Sequence, residues 1–275
     1  MVSTSAVRNI DNGQKNQFRS ETSDRPIPPV LDRQDRAYSA RETEHLKIVN
    51  GNDETKRARL AKDPSITVAA QRALSKSKNP FILSALVANP VLIEEVGEPV
   101  TETIRSLIKS GVLLSEAYLP AAMTIAKAHS SAVAATALKV DLAWLPEVPE
   151  HMKMALVTDH DVGVRRTVIR TGIHFGNQSS AVELKSITSE RQIENRVLVA
   201  SSTKHESVMD VITSPEKKSQ NEIKLKLIFI LKNPHITDRV IANLRAQNIP
   251  EINRTLNLRF GSSISGLARG IKIKK

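Results

Sequence analysis

Apolar residues recur along this chain at intervals of three and four, the period of a helix that buries one side. Ile236, Val240, Ile241 and Leu244 form one such stripe, and Leu92, Ile93 and Val96 another. Short polar breaks precede the stripes at Asp63-Pro64, Asn89-Pro90, Ser214-Pro215 and Asn233-Pro234. At each break the polar side chain can accept an orphan amide while proline occupies the first turn, so each pair predicts a helix beginning. Further breaks at Gly97, Gly111, Pro146, Gly172 and Gly176 limit the helices to about ten to fifteen residues, which predicts hairpins of short helices. The stretch Ile223–Phe229, "IKLKLIF", alternates like a strand. Ile223, Leu227, Ile230 and Leu231 also share one helical face, and helix is expected because the neighbouring segments are helical.

Four phrases resemble one another: "LAKDPSITVAAQRAL" from Leu60, "LVANPVLIEEV" from Leu86, "LVTDHDVGVRRTVI" from Leu156 and "LKNPHITDRVIANL" from Leu231. Leu60, Leu86 and Leu107 lie 26 and 21 residues apart, and Leu231 follows Leu156 by 75. Repetition at that spacing is the signature of a solenoid, in which no single hairpin can bury its apolar face alone. With their Asn-Pro or Asp-Pro break and Val-Arg pair, the phrases resemble the bacterial leucine-rich repeat variant and the related HEAT-like repeats. That resemblance implies an all-α fold, an irregular solenoid of stacked short hairpins of bacterial type. It runs over residues 55–258 and weakens across 112–148, which is alanine-rich, and across 177–222. The expected organisation is a disordered tail over 1–40, a helical repeat domain over 41–258 with a break between sub-arrays near 146–149, and a basic tail over 259–275.

Composition narrows the picture. Two Tyr, one Trp and five Phe are few for a sandwich, a barrel or an aromatic pocket. The absence of cysteine excludes disulfides, thiolate metal sites and cysteine nucleophiles. Neither a signal peptide nor a run of about 18 apolar residues is present, so a cytoplasmic protein without a membrane span is expected. The net charge of +11 is unevenly distributed, at +2 over residues 1–59, −1 over 60–150 and +10 over 151–275.

No catalytic constellation, metal set or cofactor motif emerges. His160 stands between Asp159 and Asp161, where helix capping is the simpler role for the carboxylates. His45, His129, His151, His174, His205 and His235 show neither an i, i+4 pair nor an H-E-x-x-H pattern. Glycines in "RFGSSISGLARG" match neither a Walker loop nor G-x-G-x-x-G. Trp144 is expected to fill a gap between helices, and the paucity of aromatics argues against a HEAT-like glycosylase.

The basic half leaves two readings open. Arg165 and Arg166 could pair with an acid of the same or the next repeat, as the resemblance implies. Alternatively, Arg165, Arg166, Arg170, Lys217, Lys218, Lys224, Lys226, Lys232, Arg239, Arg245 and Arg254, with Arg269, Lys272, Lys274 and Lys275 of the tail, form a basic stripe for a polyanion. The expected function is non-enzymatic: a scaffold or adaptor for a protein partner. The alternatives are sequence-nonspecific nucleic-acid binding and a secreted effector whose basic tail is an export signal; no small-molecule substrate is inferred.

Overall fold

The computed structural model describes the backbone of residues 29–261 and the side chains from Tyr38 onward. Internal contacts divide the chain into Met1–Ala40 and Arg41–Lys275, and every helix from Glu54 onward belongs to the second unit. Helix α1, Pro29–Asn50, begins inside the segment expected to be disordered and runs into the second unit.

Among the described residues the chain is all-helical. After α1 come α2 (Glu54–Lys62), α3 (Val68–Leu74), α4 (Pro80–Val87) and α5 (Glu94–Lys109). A 3-10 turn, Val112–Leu114, leads to α6 (Leu119–Ala126), α7 (Val133–Ala143), α8 (Glu150–Val157) and α9 (Val162–Phe175). The chain then forms α10 (Ser180–Ser189), α11 (Ile193–Ser202), α12 (Glu206–Ile212), α13 (Gln220–Lys232), α14 (Asp238–Ala246) and α15 (Pro250–Phe260). The alanine-rich stretch thus yields the ordinary hairpin α6/α7, and "IKLKLIF" is helical within α13.

Two sets of helices pack in register. α2, α4, α6, α8, α10 and α12 each contact the next of their set, and so do α5, α7, α9, α11, α13 and α15. Packing continues through residues 146–149, where the sequence suggests a break: α6 meets α8 and α7 meets α9. Buried aliphatic side chains such as Ile82, Leu86, Ile104, Leu138, Leu156, Ile169, Leu225 and Leu244 line the space between the sets.

The pairs Asp63-Pro64, Asn89-Pro90, Ser214-Pro215 and Asn233-Pro234 do not start helices. Pro64, Pro90, Pro215 and Pro234 all lie in turns, several residues ahead of the next helix. Instead, the polar residue closes a side-chain turn by accepting the amide two residues on. Asp63 accepts from Ser65 N at 2.7 Å, Asn89 from Val91 N at 3.0 Å and Asn233 from His235 N at 2.7 Å. Asp159 and Glu190 do the same for Asp161 N and Gln192 N, both at 2.8 Å. Such turns occupy orphan polar groups at the helix ends. The expected Pro-at-N1 cap does occur at Asn79-Pro80, whose asparagine accepts from Phe81 N at 2.9 Å. Asp161, Ser179 and Ser219 cap α9, α10 and α13.

Two buried asparagines act as staples. Asn89 Nδ2 donates to Ala61 O (2.8 Å) and Asp63 O (3.0 Å), at the end of α2. Asn233 Nδ2 donates to Ala200 O and Thr203 O, both 2.8 Å, at the end of α11. The phrase is therefore reused in two registers, because Asn89 joins α4 to α5 whereas Asn233 joins α13 to α14. Leu60, Leu86 and Leu156 are buried in even-numbered helices, yet Leu231 is 58% exposed on α13, whose buried face is Leu225, Lys226, Phe229 and Ile230.

Candidate protein-docking face

Five of the eleven described arginines and lysines read as a polyanion stripe are engaged within the fold: Arg165, Arg166, Lys226, Arg239 and Arg245. Arg165 reaches from α9 to Glu190 through two hydrogen bonds of 2.7 and 2.9 Å, and its other nitrogen meets Asp159 O and His160 O. Burial pushes the Glu190 pKa up, but hydrogen bonds from Arg165, Asn195 and the Gln192 amide outweigh it and hold the carboxyl at about 2. Arg166 donates to Asn195 Oδ1 at 3.1 Å. Lys226 is fully buried, and its ammonium reaches Ser214 O, Lys217 O and Gln247 Oε1. Arg239 pairs with Glu206 and Asp210 across α12 and α14. Arg245 donates to Gly261 O at 3.0 Å.

These contacts follow one plan. An odd-numbered helix sends a cation or amide to the carbonyls of the turn before it and to a polar side chain of the next turn. Lys139 does this with Ala128 O and Asp159, Arg165 with the Asp159 turn and Glu190, and Lys226 with the Ser214 turn and Gln247. A second ladder joins successive odd helices directly, through Arg72–Glu95, Arg105–Asp141, Arg166–Asn195 and Arg196–Glu222. Of the candidate residues, Lys226 leaves the polyanion set because it is sealed from solvent, and Arg165 because both faces of its guanidinium fork are occupied. Arg170, Lys218, Lys224, Lys232 and Arg254 are exposed and Lys217 is half-buried, and the side chains of all six make no ion pair among the described residues. Arg269, Lys272, Lys274 and Lys275 lie outside the described residues.

The odd-numbered helices also expose apolar side chains. Val133, the first residue of α7, is 83% exposed, and Ala137 and Trp144 continue the same outer face, with Val140 half-buried against the core between them. Trp144 does not fill the gap that the sequence suggests: it caps the end of α7 and is 53% exposed. Phe175 closes α9 and is 51% exposed, edge-on to His174 at 4.7 Å. The two aromatics mark the ends of packed helices: α7 packs on α9, and Asn177 Nδ2 donates to Pro146 O at 2.7 Å between the turns that come after them. Half-exposed aromatic rings at neighbouring helix ends are an unusual use of scarce aromatics, and such groups dominate protein interfaces.

Beside this face lies a groove of about 620 Å³ between α5 and α7, floored by Leu92, Ile93, Ala134 and Ala137 and edged by Val133, Glu94, Glu98 and Glu102. Glu102 is paired with Arg105, whereas Glu94 and Glu98 have no ion pair among the described residues. A second groove, about 780 Å³, opens over Leu119, Pro120 and Met123 of α6, with Lys62, Lys127, His129 and His151 at its rim. The sequence signals for the docking face are the tryptophan in "DLAWLPEVP" and the valine opening α7; neither tells inside from outside without the packing of α9.

Among the described residues no three His, Asp or Glu side chains gather as a metal set, and no helix is long and apolar enough to cross a membrane. No family model matches the chain, and neither a curated protein nor a solved structure matches it at a significant level.

Proposed function

We propose that the chain is a non-enzymatic helical-repeat adaptor, a HEAT-like solenoid whose odd-numbered helices dock a polypeptide partner. The observation that carries this reading is the exposed row Val133, Trp144 and Phe175 on α7 and α9. Internal ladders support the solenoid: α7, α9 and α13 are tied to the next turn, and α3, α5, α9 and α11 to the next odd helix, which holds hairpins in register. The test is site-specific photocrosslinking in extract of the native cell. A crosslinker at Trp144 and one at Phe175 should capture the same protein, and one at Ala242 on α14 should not. Capture of unrelated proteins at the two aromatic positions, or equal capture at Ala242, refutes the reading.

A second reading, contact with a polyanion, is supported by the exposed cations that make no ion pair among the described residues, Arg170, Lys218, Lys224, Lys232 and Arg254. Binding through them would ignore base sequence and weaken steeply with salt. A mobility-shift assay with mixed-sequence DNA and RNA at low and high salt tests it, and no retardation at low salt ends it.

A further inference from the structure

The groove between α5 and α7 pairs an apolar floor with two carboxylates, Glu94 and Glu98, that make no ion pair among the described residues. Val133 at its edge is almost fully solvated, and Glu94 and Glu98 lie one helical turn apart on the exposed side of α5. An occupant that satisfies both must carry apolar side chains to the floor and cations to the rim. The chain contains such a segment. Residues 266–275, "GLARGIKIKK", hold Ile271 and Ile273 alternating with Lys272 and Lys274, with four cations and no acid in the ten. In an extended segment the isoleucines share one side and the lysines the other, and the long lysine stems can lean to a groove's rim.

Reach decides which copy supplies it. Between α15 and α7 lie α13, α11 and α9, four spacings of about 9 Å or roughly 36 Å along the layer. The groove sits near the start of α7 whereas Gly261 follows the end of α15, which lengthens the path to about 40 Å. Ile271 is ten residues beyond Gly261, a span of at most about 35 Å when fully extended. Within one chain the segment falls short.

We propose that residues 266–275 of a second copy of this chain dock in the α5/α7 groove, Ile271 and Ile273 on its floor and Lys272 and Lys274 against Glu94 and Glu98. The inference rests on the reading of the odd-numbered helices as a peptide-docking surface, and it makes self-association one use of that surface. The contact joins different patches on the two copies, so it propagates head to tail.

A fluorescent peptide of residues 262–275, titrated with the full-length protein and followed by anisotropy, tests this directly. Saturable binding is expected at 50 mM salt and at least tenfold weaker binding at 300 mM. Glu94→Gln/Glu98→Gln should weaken it at least fivefold and Glu94→Lys/Glu98→Lys abolish it, with unchanged helical dichroism confirming both folds. An Ile271→Ser/Ile273→Ser peptide, with its charge intact, should bind at least tenfold more weakly. Sedimentation of the full chain should show concentration-dependent association that the Gln pair reduces. No binding at low salt, equal binding by the glutamate variants, or equal binding of the serine peptide overturns the proposal. If Trp144 and Phe175 crosslinkers still capture one common partner in that event, the adaptor reading stands and only self-docking falls.

Discussion

Lys139 and Asp159 form an ion pair of 2.6 Å with side chains only 1% and 8% exposed, and the same ammonium donates to Ala128 O at 2.8 Å. The pair links α7 to the turn between α8 and α9. Lys139→Met is expected to destabilise the chain by about 3–4 kcal/mol, because it leaves a buried carboxylate unpaired. Adding Asp159→Asn removes that charge while keeping the acceptor for Asp161 N, and should recover more than half of the loss. Urea unfolding of the three variants measures this, and a single-variant effect under about 1 kcal/mol refutes it.

Glu190 and Glu183 make stability depend on pH in opposite directions. Glu190 falls from 4.5 to about 2 on folding, so its contribution is complete above about pH 4.5 and drains away as pH drops toward 2. At about 1.4 kcal/mol per pH unit the full effect is on the order of 3 kcal/mol, and Arg165→Met should flatten the acid limb. Glu183 is buried and its pKa is raised, against the pull of Thr203, His205 and Lys204. Its contribution is therefore complete below the unfolded value of 4.5 and is lost as pH rises through the folded one. Glu183→Gln should gain stability on the parent at pH 8 and show no gain at pH 4, read as urea midpoints at both.

Asn89 and Asn233 make the same three hydrogen bonds at two different junctions. Alanine at either position should cost about 2–3 kcal/mol, since buried carbonyls lose their donor. Aspartate should cost more, because a carboxylate would face two carbonyl oxygens. Similar penalties at both sites would show the staple to be one device used twice; a tolerated Asn233→Asp would break that equivalence.

Gly172 sits inside α9 with Gln178 against it, and an added Cβ would lie 2.5 Å from Gln178 Oε1 and 2.8 Å from its Cβ. Alanine would ordinarily favour a helix by about 1 kcal/mol. Here Gly172→Ala should instead destabilise by about 1–3 kcal/mol through overpacking, and Gln178→Gly in the same chain, which removes the opposing Cβ as well as the amide, should relieve more of it than Gln178→Ala, which keeps that Cβ. A higher melting temperature for the single variant would refute the close packing.

Helical class is legible in the 3.6-residue stripes, and the Ile236–Leu244 stripe points inward as expected: Val240, Ile241 and Leu244 are buried. The helix starts fall elsewhere than the polar breaks suggest, because an Asn or Asp side chain accepts an amide equally well after one helix as before the next. The candidate site is less legible. Arg165 and Arg170 look alike in "VGVRRTVIR", yet one is locked to Glu190 and the other is exposed. That difference depends on a carboxylate 25 residues away from Arg165.

By itself, then, the sequence determined that the chain is helical, where its polar breaks fall, and that its positive charge lies in the second half, because periodicity, turn chemistry and charge are properties of neighbours along the chain. Only the tertiary structure decided which cations are spent on ladders, that Trp144 and Phe175 are both exposed, and that Asn89 and Asn233 serve different junctions. Those outcomes are set by which helix packs on which, and a contact between α7 and α9 or between α9 and the α10/α11 turn has no signature in either segment alone.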